Sequence, residues 1–547
     1  MVPEIMKLSF KNKQINNKLI CACFFSSAII LFTFLFFTVV YSSIEDTHIM
    51  YILSGGYGTE PSELLHYNFG WHPILGIVLK SLYSDFPEHN WYTILLVLIE
   101  WVGISSIVYV ALCYFRIREV VIIILILYSL VLSRMIIGLN MSSACWVLSI
   151  SSVFMIHSFL FTNKSWAHYI IPVISLMAAG LLRLHIAFLV LILSFPSLFY
   201  YKRFWVKSLI LSCSFFISFF CIKITQEQYY STHIKGWKSQ EAIRQSFIYV
   251  FNRPKRRIDD TMAIFRNRLE MLSYNQRFLS DASAVFDIKR LTEIGGQLTR
   301  VRNFGYKVDW LIYFSQVNKW KLHLLFCVFM IGAIPRIKRR EFLFNWLPFL
   351  FPLLCFYAYL IHFIKLKEHI ELGVLCLALL SALYSLYISG VKFRFPQFTY
   401  IKLAVPLFLI FIGLSHLNTG NRNGVNRFKC ASKEIISHPD LLFYDMHNDV
   451  PFEFFPVEYT HIDFPFYNLI GQTAMIFYRY PSLDRFKNRD LFDALVNNSK
   501  VRIIGEGASE LKEYCQIRSG EKFILSSARE SFNCIHATSL QKTTISH

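Results

Sequence analysis

The sequence predicts an all-α polytopic membrane protein with a small α/β domain at its C-terminus, and three observations predict it. Of 547 residues, 54% are hydrophobic and only 17% charged, against roughly 25% charged in soluble domains. The apolar residues come in uninterrupted blocks far longer than a buried strand. Lys and Arg gather in the short stretches between those blocks, so the net charge of +19 reads as membrane orientation and not as a nucleic-acid footprint. A disordered chain is excluded, and an ordinary cytosolic enzyme is disfavoured.

The first element is Leu19 to Tyr41, an uncharged run of about 23 residues, enough to cross a hydrocarbon core of roughly 30 Å. It exceeds a signal-peptide core and lacks a small-x-small cleavage site, which makes it an anchor. Lys7, Lys11, Lys13 and Lys18 precede it and place the N-terminus in the cytoplasm. Further spans follow near 91–115, 119–138, 141–162, 167–182, 185–200, 206–224, 319–335, 342–362, 371–389 and 401–416, about eleven crossings in all. Arg116, Arg118, Lys164, Lys202, Arg203, Lys207, Arg336, Lys338 to Arg340, Lys392, Arg394 and Lys402 then fall in cytoplasmic turns. An odd number of crossings puts the C-terminus outside. The predicted domains are a transmembrane unit over 1–416 and an extracytoplasmic unit over 417–547.

Three outer pieces remain. The loop 42–90 holds a Gly/Pro-rich turn region and a short apolar stretch, His72 to Tyr83, suited to the interface. The loop 225–318 has helical spacing of charged and aromatic residues, as in Ile258 to Leu272, over the outer mouth. The tail balances 15 Lys and Arg against 15 Asp and Glu. Its strand-like runs, Leu441 to Tyr444, Val501 to Ile504 and Phe523 to Leu525, flank helical ones. The 12 cysteines include no CxxC and no zinc spacing, so no thiolate metal site is expected. A disulfide among Cys430, Cys515 and Cys534 stays open.

Polar groups inside a bilayer each cost roughly 2.5–3.5 kcal/mol and so face a cavity or a partner. Here they collect toward the outer side: Glu100, Arg134, Arg183, His185, Lys365, Lys367 and His369. Singly, each reads equally well as a snorkelling residue or a local ion pair; their shared depth favours a cavity. Glu45 and Asp46, just after the first span, are the most specific feature. Adjacent carboxylates at a membrane exit can deprotonate a hydroxyl or hold a divalent cation such as Mg or Mn.

In this position the acidic pair resembles that of the GT-C class of integral membrane glycosyltransferases, which carry an acidic motif in the first outer loop. Gly70-Trp71-His72-Pro73-Ile74-Leu75-Gly76 is similar to the His-Pro interfacial helix of that class, with Ile74 where the protein O-mannosyltransferase branch has a second Pro. Lys365-Leu366-Lys367-Glu368-His369 is similar to its late phosphate-binding segment. The resemblance implies a multi-pass protein of a bacterial inner membrane that moves a sugar from a polyprenyl-phosphate donor to an outer glycan or lipid-linked acceptor by an inverting step. It implies Asp46 or Glu45 as base, Lys365, Lys367 and Arg183 on the donor phosphate, and His72, Glu100, Arg134, His185 and His369 lining the cavity. No nucleic-acid partner is expected. An O-antigen polymerase or ligase stays open, with Arg253 to Arg257 as a pyrophosphate site. A lipid-linked glycan transporter would show repeated halves, which the sequence lacks.

Overall fold

The computed structural model of the chain describes residues 2–65, 71–198, 205–238, 240–241, 265–275, 285–287, 289–290, 293–294, 368–388, 399–446, 449–471, 479–505, 507–527 and 532–543. Among the described residues, six helices are long and apolar enough, by length and composition, to cross a bilayer: Asn17–Phe36, Trp91–Tyr114, Ile117–Ile137, Met141–Phe161, Trp166–Phe195 and Trp205–His233. The chain is therefore a multi-pass membrane protein. The expected count of eleven is not established, since 319–335 and 342–362 lie outside the described residues. The two last expected spans fall on helices Glu368–Ile388 and Thr399–Ser437.

Polar caps set the ends of these helices. The first, α1 (Val2–Phe36), stops five residues before the expected Tyr41 because Asn418 and Asn421 of the long helix Thr399–Ser437 take over its backbone. Thr38 N–H donates to Asn418 Oδ1 at 2.7 Å, and Asn421 Nδ2 donates to Thr38 O at 3.0 Å. Val40–Tyr41 (β1) instead pairs in parallel with Gly138–Leu139 (β2). Ser43 caps α2 (Ile44–Ser54), His72 caps α3 (Pro73–Asp85) and Asn90 caps α4 (Trp91–Tyr114). Helix α5 (Ile117–Ile137) follows, and Asn140 caps α6 (Met141–Phe161), accepting from Ser143 N–H at 2.8 Å. Each cap satisfies one of the orphan amides of a helix start.

Element α7 (Ile170–Leu198), 29 residues long, consists of two helices that meet at a kink on a single extended residue, Arg183 at φ −156° and ψ 90°. A straight helix of that length would run about 43 Å. The segment leading into α7 and its own last residue nevertheless meet one place on α8 (Trp205–His233). Lys207 Nζ lies 3.3 Å from Lys164 O, and the next residue, Ser208, donates to Leu198 O at 2.6 Å. The helix thus folds back on itself with Arg183 at the tip. The sequence expectation of two segments, 167–182 and 185–200, has this physical form: two short arms joined by one residue. By contrast, α8 runs nine residues past its expected end at 224 and reaches His233.

The bundle has two distinct ends. At one, Lys207 reaches Asn163 and Lys164, and Tyr114 bonds Ser158, close to Arg116 and Arg118 in sequence. At the other, the mouth end, lie the end of α1, the starts of α4 and α6, and the Arg183 tip.

The tail is built on the helix Thr399–Ser437 and a five-stranded sheet in the order β4-β3-β5-β7-β6. Strands β3 (Leu442–Asp445), β4 (Leu469–Gly471) and β5 (Val501–Ile504) run parallel, while β7 (Ala537–Lys542) and β6 (Phe523–Ser527) are antiparallel additions. β4 and β7 carry no alternation strong enough to have been read in advance. Cys430 and Cys534 form a disulfide that ties the long helix to the chain before β7. Glu434 reinforces the tie by accepting from the amides of Asn533, Cys534 and Ile535.

The tail packs against the bundle. Helix α2 lies between the bundle and the segment 450–471, and nine of its residues, Asp46 to Ser54, are buried. Thr47 donates to Phe452 O at 2.8 Å, Tyr51 to Phe464 O at 2.6 Å, and Asn90 Nδ2 to Tyr459 O at 2.8 Å. The Tyr41 ring stacks on Phe455. One continuous apolar core therefore runs from the bundle into the sheet. Of the loop 225–318, the described helix Arg268–Asn275 sits against the tail helix Ala508–Ser519, with Arg268 bidentate on Glu513 at 2.7 and 2.8 Å.

Candidate functional site

The acidic pair begins α2 because Ser43 supplies the cap: its Oγ accepts from Glu45 N–H at 3.2 Å. Carboxylates in a first turn also meet the positive end of the helix dipole. From there the two side chains diverge.

Asp46 turns inward and is 2% exposed. Its Oδ1 accepts from Tyr92 Oη at 2.6 Å and from the backbone N–H of Met141 at 2.8 Å. It thereby joins α2 to the first turns of α4 and α6. Burial pushes its carboxyl up to about 6, and the nearby Glu45 charge pushes the same way, against the two hydrogen bonds and the Arg183 charge.

Glu45 turns toward the Arg183 tip. Arg183 Nη2 stands 3.9 Å from Glu45 Oε2, with side-chain exposures of 19% and 23%. Arg183 Nη1 also donates to Ser142 Oγ. The reversal at residue 183 is what delivers a guanidinium here. Cys145 Sγ fixes the tip from below, close to the carbonyls of Ala179 (3.3 Å) and Arg183 (3.4 Å). A half-exposed acid, a half-exposed guanidinium, a hydroxyl and the amide end of α6 therefore meet at one place.

The other expected site residues are distributed as follows. His72 adjoins the tip through its backbone, its N–H donating to Leu181 O at 2.8 Å. Its ring is a fastener: Nδ1 accepts from Ile74 N–H, and Nε2 bonds Thr225 Oγ1 at 3.0 Å. Burial holds that imidazole below its usual range. Glu100 is 1% exposed, and its Oε1 has no hydrogen-bond partner among the described residues. It lies eight residues beyond Tyr92 on α4, about 12 Å deeper, so it is not part of the pair's immediate surroundings. Arg134 is half-buried one turn before β2. His185 is exposed two residues past the tip, and His369 is half-buried at the start of Glu368–Ile388. Lys365 and Lys367 lie outside the described residues, as do Arg253 to Arg257.

Sequence reasoning missed Tyr92, Ser142 and the Met141 amide. Asn140 before the apolar run was a readable cap signal; nothing in the sequence marked Ser142 or Tyr92. It also missed His48, fully buried on the opposite side of α2. Its Nδ1 bonds Tyr57 Oη, and burial pushes it down to about 3, so it is neutral.

The pair is a poor fit for a divalent metal. A guanidinium already faces Glu45, and two donors occupy Asp46 Oδ1, whereas Mg or Mn takes a set of free, hard oxygens. The one group of metal-type side chains among the described residues, Cys430, Glu434 and Cys534, consists of the disulfide and the carboxylate that anchors it. Comparison with protein-family models, with curated proteins and with solved structures gives no match for this chain.

Proposed function

We propose that the chain is a membrane glycosyltransferase that moves a sugar from a polyprenyl-phosphate donor to a hydroxyl of an acceptor glycan or lipid-linked glycan outside the membrane. The observation that carries the reading is the Glu45–Arg183 pair, a base candidate and a cation 3.9 Å apart at the mouth of an apolar bundle. A polyprenyl carrier has a lipid tail and an anionic head, so it needs a cation where bundle and water meet. Arg183 offers five donors in a planar fork suited to phosphate.

In this reading the donor phosphate takes Arg183 from Glu45, which frees the carboxylate. The acceptor hydroxyl gives its proton to Glu45 as its oxygen bonds the anomeric carbon. The bond from that carbon to the phosphate oxygen breaks, and the leaving oxygen keeps the electron pair, stabilised by Arg183. One displacement inverts the anomeric centre. Asp46, sealed beneath, positions the start of α6 and hence Ser142 against Arg183. No step runs through a metal ion. The disulfide supports an oxidising, extracytoplasmic tail, and the basic residues at the opposite end support a cytoplasmic N-terminus.

The test is release of free polyprenyl phosphate by the purified protein from a panel of polyprenyl monophosphate sugars. Turnover that vanishes in Glu45→Gln is expected. No turnover with any such donor, together with elongation of a pyrophosphate-linked oligosaccharide, would replace this reading with a polymerase.

A further inference from the structure

The Gly55-Gly56-Tyr57-Gly58-Thr59 segment has no part in the step above, yet it shapes one wall of an open cleft of about 490 Å³. Nine residues separate Glu45 from Ser54, so this cleft opens about 14 Å along α2 from the acidic pair. Its opposite wall comes from the tail, through His461, Tyr467 and Arg485.

The loop's glycines are demanded by this wall. Gly55 ends α2 at φ +77°, where a side chain would meet Thr59 O at 2.3 Å. Gly58, at φ +90°, leaves a side chain only 3.0 Å from the Tyr467 ring. The backbone thus packs on Tyr467, a residue that stays 45% exposed.

His461 lines the cleft and is 9% exposed, with its Nδ1 closed off from solvent. Arg485 is exposed and makes no ion pair or hydrogen bond among the described residues. A drug-like apolar ligand would need an enclosed greasy pocket, and this cleft is open. It offers one aromatic face and one cation.

We propose that this cleft binds an anionic sugar unit of the acceptor: a pyranose laid on Tyr467, and a carboxylate or phosphate substituent on Arg485. Its role as acceptor subsite rests on the transferase reading; the binding itself does not.

The experiment is a binding titration of the purified full chain. The probes are a glucuronate-terminated disaccharide, its neutral glucose-terminated counterpart and a hexose 6-phosphate. At least tenfold tighter binding of an anionic probe than of the neutral one is expected, and the tighter of the two anions identifies the substituent. Arg485→Gln, on the surface and safe for folding, should reduce the anionic probe to the neutral level. Tyr467→Ala should remove binding of all three. Equal affinity for charged and neutral probes, or anionic binding unchanged in Arg485→Gln, would overturn the proposal. Glu45→Gln should bind all probes as the parent does, so failure of the cleft and failure of the transferase reading give different patterns.

Discussion

Glu45 and Asp46 are neighbours in sequence and chemically alike, yet the inner and outer sides of α2 give them opposite lives. On the inner side Asp46 is sealed, holds two donors on one oxygen and links three helices. On the outer side Glu45 keeps access to solvent and faces a guanidinium. The difference teaches that an acidic dipeptide can divide its labour: one carboxylate builds the mouth and the other stays at its edge beside an arginine. The residue with the raised pKa is here the structural one, because burial raises the pKa of a carboxyl whether or not it reacts.

Three perturbations sharpen that contrast. The largest concerns the scaffold side. Cys430→Ser opens a disulfide that closes a separation of 104 residues, and should cost about 2–5 kcal/mol. Thermal unfolding in detergent reads the loss, and the Glu45–Arg183 pair should keep its function in whatever protein stays folded.

Next is the pH dependence that Asp46 imposes. Its native carboxyl titrates near 6 against 3.8 for the free group. Between those values the folded chain holds a proton that the unfolded chain has lost, so stability from this group is highest below 3.8 and falls as pH rises to 6. The whole change is on the order of 3 kcal/mol at 1.36 kcal/mol per pKa unit. Asp46→Asn keeps the acceptor oxygen for Tyr92 and Met141 and removes the charge. Its stability should therefore fall less between pH 4 and 6 than the parent's. Identical slopes would show that Asp46 is not buried as described.

The smallest of the three concerns the tip. Arg183→Ala should weaken donor binding by about 1.5–3 kcal/mol, the worth of a charged hydrogen bond, with Arg183→Lys recovering part of it. A titration with a polyprenyl monophosphate measures both.

Much of this architecture was legible in sequence, for physical reasons. Spans 91–115, 119–138 and 141–162 are apolar blocks bounded by Asn or Arg and interrupted only by Glu100, Glu119 and Arg134, and the helices Trp91–Tyr114, Ile117–Ile137 and Met141–Phe161 match them within two residues. The strands near Leu441 and Val501 stood out as β-type apolar runs between helical ones. Hydropathy says nothing of a backbone reversal made by one residue, so the hairpin of α7 was read only as two spans. Apolar length alone also overran α1, because the competing bonds to Thr38 come from Asn418 and Asn421, some 380 residues away. At the site, the acidic pair and Arg183 were readable as charges out of place in apolar sequence. Which of the two acids faces the arginine was not, since adjacent residues on a helix point about 100° apart and only packing against α4 and α6 decides which is sealed.

The most direct measurement compares Glu45→Gln with Asp46→Asn in one assay of sugar release from polyprenyl phosphate, at matched amounts of folded protein. Glu45→Gln should lose roughly a hundred- to ten-thousandfold in rate, as loss of a general base does, while Asp46→Asn stays within about tenfold of the parent, a barrier change of up to roughly 1.4 kcal/mol. Equal losses in both variants, or the larger loss in Asp46→Asn, would contradict the division of labour between the two carboxylates.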